Sequence, residues 1–146
     1  MNTINIIRLE FPSKSVNESF ARTAAAAFAL QLDPTIEELG DLKTAVSEAV
    51  TNAIVHAYPD SIGQIGMKLR ILESDTLEIT VRDWGRGIEN IDEAMKPLYT
   101  TGGEERSGMG FTIMQSFMDS LRVRSSPGKG TTVVMRRTIR PRITGK

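Results

Sequence analysis

Apolar and polar residues alternate in five short segments of the chain, and each alternation predicts a strand. Ile7, Leu9 and Phe11 are separated by Arg8 and Glu10, which is the pattern of a strand with one buried face. The other four segments form two pairs, each joined by a short turn, so they predict two hairpins. The predicted strands cover residues 7–11, 65–71, 77–81, 121–125 and 131–137.

Capping signals and apolar spacing predict a first helix. Ser15 is followed three residues later by Glu18, which matches a capping box, and the helix is expected to run to about Gln31. Residues 24–27 are four alanines, strong helix formers whose small side chains permit close packing. The predicted apolar row comprises Val16, Phe20, Thr23, Ala24 and Ala27.

Two further helices follow from the same kind of pattern. Asp33 before Pro34 is a helix start signal, and apolar residues at helical spacing continue to about Ala57, which predicts a core helix. A third helix is expected over residues 110–119, directly before the second hairpin. Its inner side is predicted to carry Phe111, Met114, Phe117 and Met118.

The order strand, helix, helix, hairpin, loop, helix, hairpin predicts an α+β fold. Tight turns between consecutive strands favour a two-layer α/β sandwich, with a mainly antiparallel mixed sheet and helices on one face. The length of 146 residues fits a single domain over residues 1–146. The irregular stretch at about residues 88–109 is interpreted as a functional lid, and residues 138–146 as a basic, solvated tail.

Charge and composition narrow the classes of partner. Basic and acidic residues both number 18, so nothing in the net charge favours direct binding of nucleic acid or of a membrane. The absence of cysteine excludes disulfides and thiolate metal sites. No apolar run is long enough to span a bilayer, and the N-terminus lacks signal-peptide features, so we expect a cytoplasmic location.

Three polar clusters are candidates for chemistry. Glu48 and Asn52 lie one helical turn apart at the edge of an apolar stripe, where a carboxylate and an amide can hold water and Mg²⁺. Asp83-Trp84-Gly85-Arg86-Gly87 follows a predicted strand, so its carboxylate can accept a hydrogen bond from an amine such as that of adenine. Gly108-Met109-Gly110 precedes the third helix, where unpaired N–H groups suit phosphates.

Each cluster alone also has an ordinary structural interpretation. A Glu and an Asn at this spacing occur on solvated helix faces, an Asp–Gly pair is common in turns, and glycine before a helix can serve as a cap. Neither a P-loop nor a protein-kinase catalytic loop is present in the sequence. The combination of clusters is therefore more informative than any one of them.

In this order, and with Gly130-Thr131 entering the last strand, the clusters resemble the motifs of the GHKL (Bergerat-fold) ATPases and kinases. Glu48 and Asn52 match the N box, and the two glycine clusters match the two glycine boxes. The segments SFAR, SEAVTNAIVHAY and ERSGMGFTIMQSFMD are similar to the anti-sigma F factors of sporulation, serine protein kinases of this superfamily. The resemblance spans about residues 9–134.

The resemblance implies that the protein binds ATP or ADP with Mg²⁺. Asp83 would hold the adenine amine with support from Thr131, Asn52 would ligate the metal, and Glu48 would be the general base. Within the lid, the segment Tyr99-Thr100-Thr101-Gly102-Gly103 is short and lacks the lysine that the family leads us to expect. The implied cofactor-binding residues are Asn52, Asp83, Gly85, Gly87, Thr100, Thr101, Gly108, Met109, Gly110 and Thr131.

The resemblance also implies protein partners. Members of this family bind and inhibit sigma F, phosphorylate a serine of an anti-anti-sigma factor, and form homodimers. Arg22 on the first helix is then expected on the docking surface, although an exposed helix arginine is the plain alternative. His56 is interpreted as a structural residue near a helix end. Trp84 is expected at the rim of the nucleotide pocket or on plain surface.

Other functions share parts of the pattern. A detached histidine-kinase catalytic domain needs a phosphoacceptor helix pair, and a gyrase-type ATPase needs further domains, so a length of 146 residues argues against both. A nucleotide-gated binding module without catalysis has little need of Glu48 beside Asn52. A general-stress anti-sigma kinase shares the same boxes and stays open as an alternative.

Overall fold

The computed structural model describes residues 1–96 and 105–140, with residues 105–109 described by their backbone alone. The strands are β1 (Thr3–Pro12), β2 (Gln64–Leu72), β3 (Thr76–Asp83), β4 (Ser120–Ser126) and β5 (Gly130–Thr138). The helices are α1 (Val16–Ala29), α2 (Ile36–Asn52), α3 (Ile91–Ala94) and α4 (Glu105–Phe117). A 3₁₀ turn, Leu30–Leu32, follows α1, and a π-helical turn, Ala53–Ala57, follows α2.

The five strands form one sheet in the order β1-β2-β3-β5-β4, and each neighbouring pair is antiparallel. Alternate residues of β2 and β3 are buried beneath α1, α2 and α4, with α2 in contact with both of the other helices. The other face of the sheet carries polar and charged side chains such as Lys68 and Arg82. The predicted α+β sandwich with helices on one face is confirmed. Within the described ranges, no helix combines the length and apolar character needed to cross a membrane.

Helix α2 begins later than predicted because a different residue caps it. The Thr35 hydroxyl accepts a hydrogen bond from the Glu38 N–H (3.0 Å), and the Glu38 carboxylate accepts one from the Thr35 N–H (2.9 Å). These two bonds form a capping box. Asp33 has a positive φ of 53° and ends the 3₁₀ turn instead. Pro34 therefore lies in the link between the two elements.

The buried face of α1 also differs from the predicted one. Val16 and Phe20 are 76% and 60% exposed, and Ser15 makes no side-chain cap. Glu18 pairs with Arg22 in the next turn instead of closing a capping box. The face turned inward consists of Ala21, Ala25, Phe28 and Ala29. The three alanines let α1 approach α2 closely, and that contact decides which face is buried.

Helix α4 begins at Glu105, one and a half turns before the predicted start near Gly110. The backbone of Gly108-Met109-Gly110 is consequently helical instead of forming a loop before the helix. Glycine inside a helix costs about 1 kcal/mol relative to alanine, and pairing of the backbone N–H groups offsets that cost. The inner side of α4 and the residue after it bury Phe111, Met114 and Met118, as predicted, while Phe117 is half-buried.

Candidate functional site

A cleft of about 640 Å³ opens on the helical side of the sheet. Its walls are the end of α2 with the π-helical turn, the end of β3 with the following loop, and the hairpin between β4 and β5. This volume is in the range of small-molecule pockets. Polar groups that line it include Asn52, His56, Asp83, Arg86, Asn90, Glu93 and Thr131.

Two sets of hydrogen bonds hold the end of α2 against the end of β3. The Arg86 N–H donates to the carbonyl of Ala57 in the π-helical turn (3.1 Å). The Tyr58 hydroxyl accepts from the Trp84 N–H and donates to the carbonyl of Gln64, both at 2.7 Å. Because these bonds tie the π-helical turn to the strand ends, residues 30 positions apart in the sequence face one cleft.

Asp83 is the buried acid of the cleft. It is 6% exposed, and its Oδ1 accepts hydrogen bonds from the N–H groups of Gly85 (3.0 Å) and Thr131 (3.1 Å). Within the part of the chain that the structure describes, Oδ2 receives no hydrogen bond. Burial raises the pKa of Asp83 above that of an ordinary aspartate, and the two backbone hydrogen bonds offset only part of this rise.

The Thr131 side chain belongs to a small hydroxyl network that the sequence analysis missed. Its hydroxyl lies 2.8 Å from that of Ser125, which also accepts from the Ile88 N–H (2.8 Å) and donates to the Gly130 carbonyl (3.0 Å). Ser125 and Thr131 are direct partners across the β4–β5 hairpin. Each lies two residues from the turn at residues 127–129. This equal spacing is the sequence signal that could have predicted their pairing.

The glycines after β3 serve the packing of the protein itself. A Cβ atom on Gly85 would overlap the carbonyl of Ala57, and one on Gly87 would overlap the carbonyl of Ser126. Gly87 also has a positive φ of 77°, which disfavours other residues. Gly87 lines the cleft and Gly85 does not. In the structure both glycines let backbone segments meet, whereas the resemblance implied them as cofactor-binding residues.

The N box and the second glycine box meet at the next part of the site. A Cβ on Gly110 would lie 3.0 Å from Nδ2 and 3.2 Å from Oδ1 of Asn52, so the two residues are in contact. Glu48, half-buried one turn earlier on α2, does not line the described cleft. Thr100 and Thr101 lie outside the described residues. Of Gly108 and Met109 only the backbone is described.

Metal binding at this site must rely on few protein ligands. In the described portion of the chain, no group of three or more His, Asp or Glu side chains is arranged to hold a metal ion. The Asn52 side chain nevertheless lines the cleft, and its carboxamide group lies beside Gly110. Mg²⁺ typically takes only one or two protein ligands when phosphates and water supply the others, and Asn52 fits that arrangement.

The remaining predicted residues lie in different places. His56 lines the cleft from the π-helical turn. Trp84 lies on the open face of the sheet, 45% exposed, with the guanidinium of Arg82 4.8 Å from its ring centre. That face holds a depression of about 840 Å³ that is lined largely by charged side chains, and Asp83 is not among its lining residues. Arg22 is remote from the cleft on α1 and pairs with Glu18 at 3.3 Å.

Comparison with known proteins agrees with this geometry. Residues 11–137 match the family described as the histidine kinase-like ATPase domain. The chain is 60% identical over 136 residues to the anti-sigma F factor of Caldanaerobacter subterraneus subsp. tengcongensis, covering 92% of this chain and 94% of that protein. It is 56% identical over 134 residues to the anti-sigma F factor of Clostridium perfringens, covering 91% and 96%.

The chain belongs to the anti-sigma F factor family of histidine kinase-like ATPase domains. Solved structures share the fold at lower identity. The RsbU and RsbW domains of a Mycobacterium tuberculosis protein match with a TM-score of 0.68 at 16% identity, over 92% of this chain and 32% of that one. A histidine kinase domain from Erythrobacter litoralis matches with a TM-score of 0.55 at 22% identity, over 84% and 60%. This anti-sigma F factor family member is thus an ATP-using domain of the kinase type.

Proposed function

We propose that this protein binds and inhibits sigma F, the sporulation sigma factor, and uses ATP to phosphorylate a serine of an anti-anti-sigma factor. The observation that carries the proposal is Asp83, a buried acid with one oxygen held by the backbone, at the wall of a cleft of nucleotide size. The name shared by relatives at about 60% identity favours sigma F over a general-stress sigma factor.

The adenine base fits the Asp83 end of the cleft. Asp83 Oδ2 is available to accept a hydrogen bond from the exocyclic amine, and Thr131 lies beside it. Asn52, against Gly110, would ligate Mg²⁺ held together with the phosphates. Mg²⁺ bound with the phosphates neutralises charge that develops during phosphoryl transfer.

Glu48 is proposed as the general base. It lies one turn before Asn52 on α2, an axial separation of about 6 Å. Glu48 is therefore on the opposite side of Asn52 from the π-helical turn and lies beyond the described cleft. In the proposed reaction, Glu48 accepts the proton of the partner's serine hydroxyl. The serine oxygen bonds to the γ-phosphorus as the bond to the β,γ-bridging oxygen breaks, which releases ADP.

The test is transfer of label from radiolabelled ATP, with Mg²⁺, to the anti-anti-sigma factor. We expect Glu48→Gln to lower transfer by roughly 100- to 10,000-fold because a positioned base contributes that much, while ATP binding is retained. The matched control is Glu37→Gln, an exposed carboxylate in the first turn of the same helix. Near-normal transfer by Glu48→Gln would contradict the assignment of the base. ATP binding with no label on the partner would leave a nucleotide-gated binding module.

Sequestration of sigma F is proposed to use a surface on α1 that includes Arg22, shared with the anti-anti-sigma factor. Arg22 is half-buried on this helix and pairs with Glu18 one turn earlier, so this surface offers charge of both signs. The proposal includes a homodimer acting in the cytoplasm. If ATP and ADP favour different partners, the affinity for sigma F must differ between the two nucleotide states. Equal affinities would exclude this coupling.

A further inference from the structure

Ser125 lies directly behind the Thr131 side chain at the wall of the cleft. It is half-buried on β4, and its hydroxyl has three partners: the Ile88 N–H at 2.8 Å, the Gly130 carbonyl at 3.0 Å and the Thr131 hydroxyl at 2.8 Å. A serine hydroxyl has one proton and two lone pairs, so these three partners use its full capacity.

The two backbone partners fix the direction of the third hydrogen bond. The Gly130 carbonyl can only accept, so it takes the single proton of Ser125. The Ile88 N–H can only donate, so it takes one lone pair. The remaining lone pair can be satisfied only by a proton from Thr131. The Thr131 hydroxyl therefore donates away from the cleft and offers its own lone pairs to a ligand.

We infer that Ser125 is a positioning residue that, through Thr131, makes the base end of the cleft selective for a purine with an amino group at position 6. Thr131 and Asp83 both line the cleft and are joined by the hydrogen bond from the Thr131 N–H to Asp83 Oδ1, so Thr131 Oγ1 and Asp83 Oδ2 together offer acceptors that suit an N–H donor. A purine with a 6-oxo group would place a third acceptor where that donor belongs, and its one added donor, N1–H, lies one ring position away. This inference rests on the proposed binding of ATP through Asp83.

The test compares the affinities of ATP and inosine triphosphate, which differ in the 6-amino and 6-oxo groups, by calorimetric titration. The wild type is expected to prefer ATP by at least about tenfold. Ser125→Ala frees the Thr131 proton to turn toward the cleft and donate to the oxo group. The preference for ATP should then fall by about two- to tenfold, the range of one hydrogen bond.

Three further variants separate positioning from structural support. Ser125→Thr keeps the hydroxyl and should restore the wild-type preference. Thr131→Val removes the acceptor and should lower the affinity for ATP without lowering that for inosine triphosphate. It therefore tests whether Thr131 acts as an acceptor toward the base, even if Ser125→Ala does not fold. Ser116→Ala is the matched control, because this exposed serine donates, among the residues that the structure describes, only to the Thr112 carbonyl on α4. Circular dichroism establishes that each variant folds.

The outcomes are distinguishable from failure of the proposed function. A wild type that binds ATP and inosine triphosphate equally would overturn the inference while nucleotide binding stands. Equal weakening of both nucleotides by Ser125→Ala would show a merely structural serine and would also overturn it. A wild type that binds neither nucleotide would remove the proposed function, and this inference with it.

Discussion

Strand β3 carries two buried carboxylates in opposite surroundings. Glu78, 4% exposed, lies on the open face between Arg70 and Arg136 from the two neighbouring strands, with N–O distances of 2.7 to 2.9 Å. Asp83, 6% exposed, ends the strand on the cleft side with backbone N–H groups as its described partners. Burial opposes ionisation of Glu78, but both arginines outweigh it and hold its pKa below the ordinary value. Burial dominates at Asp83 and raises its pKa.

The two acids differ in the hydrogen-bonding capacity that they have left. Two guanidinium groups occupy both oxygens of Glu78, so it joins three strands and has no capacity left. Asp83 is buried at a cost in solvation, and one oxygen is left without a described partner. A buried acid with an unfavourable environment in a cleft often marks a functional site. Glu78 thus supports the sheet, and five positions further along the same strand lies the acid that we propose for ligand recognition.

The largest effect is expected for Asp83→Asn. The amide oxygen can keep the two backbone hydrogen bonds, which leaves the NH₂ group facing the adenine amine, donor against donor. ATP affinity should fall by about 100-fold, as expected for loss of a charge-assisted hydrogen bond. Calorimetric titration measures it, with the exposed Asp60→Asn as control. Undiminished affinity would show that the base binds elsewhere.

The same variant has an opposite effect on folding stability. At neutral pH the wild type buries the Asp83 charge, so Asp83→Asn should be at least as stable. As the pH falls through the raised pKa, the folded wild type protonates before the unfolded chain and gains stability. The advantage of the variant should therefore shrink toward the ordinary aspartate pKa of about 4 and stay constant below it. Urea unfolding between pH 4 and 7 measures this.

Glu78→Gln should act on stability and spare the cleft. Loss of the charge between two arginines is expected to cost about 2 kcal/mol, because the arginines are partly exposed and solvent compensates in part. The lowered pKa means that the Glu78 contribution is present above pH 4.5 and is lost as the folded carboxylate protonates in acid. The difference from wild type should shrink in acid. A fall in ATP affinity would contradict the separation of the two acids.

Arg136→Gln should have the smallest effect. The Arg136 side chain is 42% exposed, and Arg70 remains to pair with Glu78. Exposed ion pairs contribute about 0.2–1 kcal/mol, so the loss of unfolding free energy should stay within that range. Urea unfolding beside Glu78→Gln measures it. A loss as large as that of Glu78→Gln would mean that both arginines are needed as one unit.

The sequence predicted the sheet, the order of elements and the main residues of the cleft. Strand alternation depends on local burial, so the five strands were recognisable from their residues alone. Asn52, Asp83 and Thr131 line one cleft, and Asn52 contacts Gly110. The roles predicted for these residues in binding remain proposals. The order of the motifs along the chain was sufficient to group them, because Asp83 and Thr131 lie at strand ends and Asn52 lies on the core helix.

The remaining features depend on contacts between distant segments. The face of α1 was predicted from Val16 and Phe20, but alanines at the contact with α2 set the orientation of the helix. The start of α2 was predicted at Asp33, although Thr35 supplies the better cap. Ser125 acts through the register of a hairpin and the N–H of a loop 37 residues away, and no local pattern reports such a contact.

A crystal structure with Mg²⁺ and a non-hydrolysable ATP analogue is the decisive test of nucleotide binding through Asp83. We expect the adenine amine within about 3.2 Å of Asp83 Oδ2, the usual limit for a hydrogen bond. We also expect Mg²⁺ on the Asn52 carboxamide oxygen. A base bound on the open face of the sheet, or an Asp83 without contact to the nucleotide, would show that Asp83 does not recognise the base.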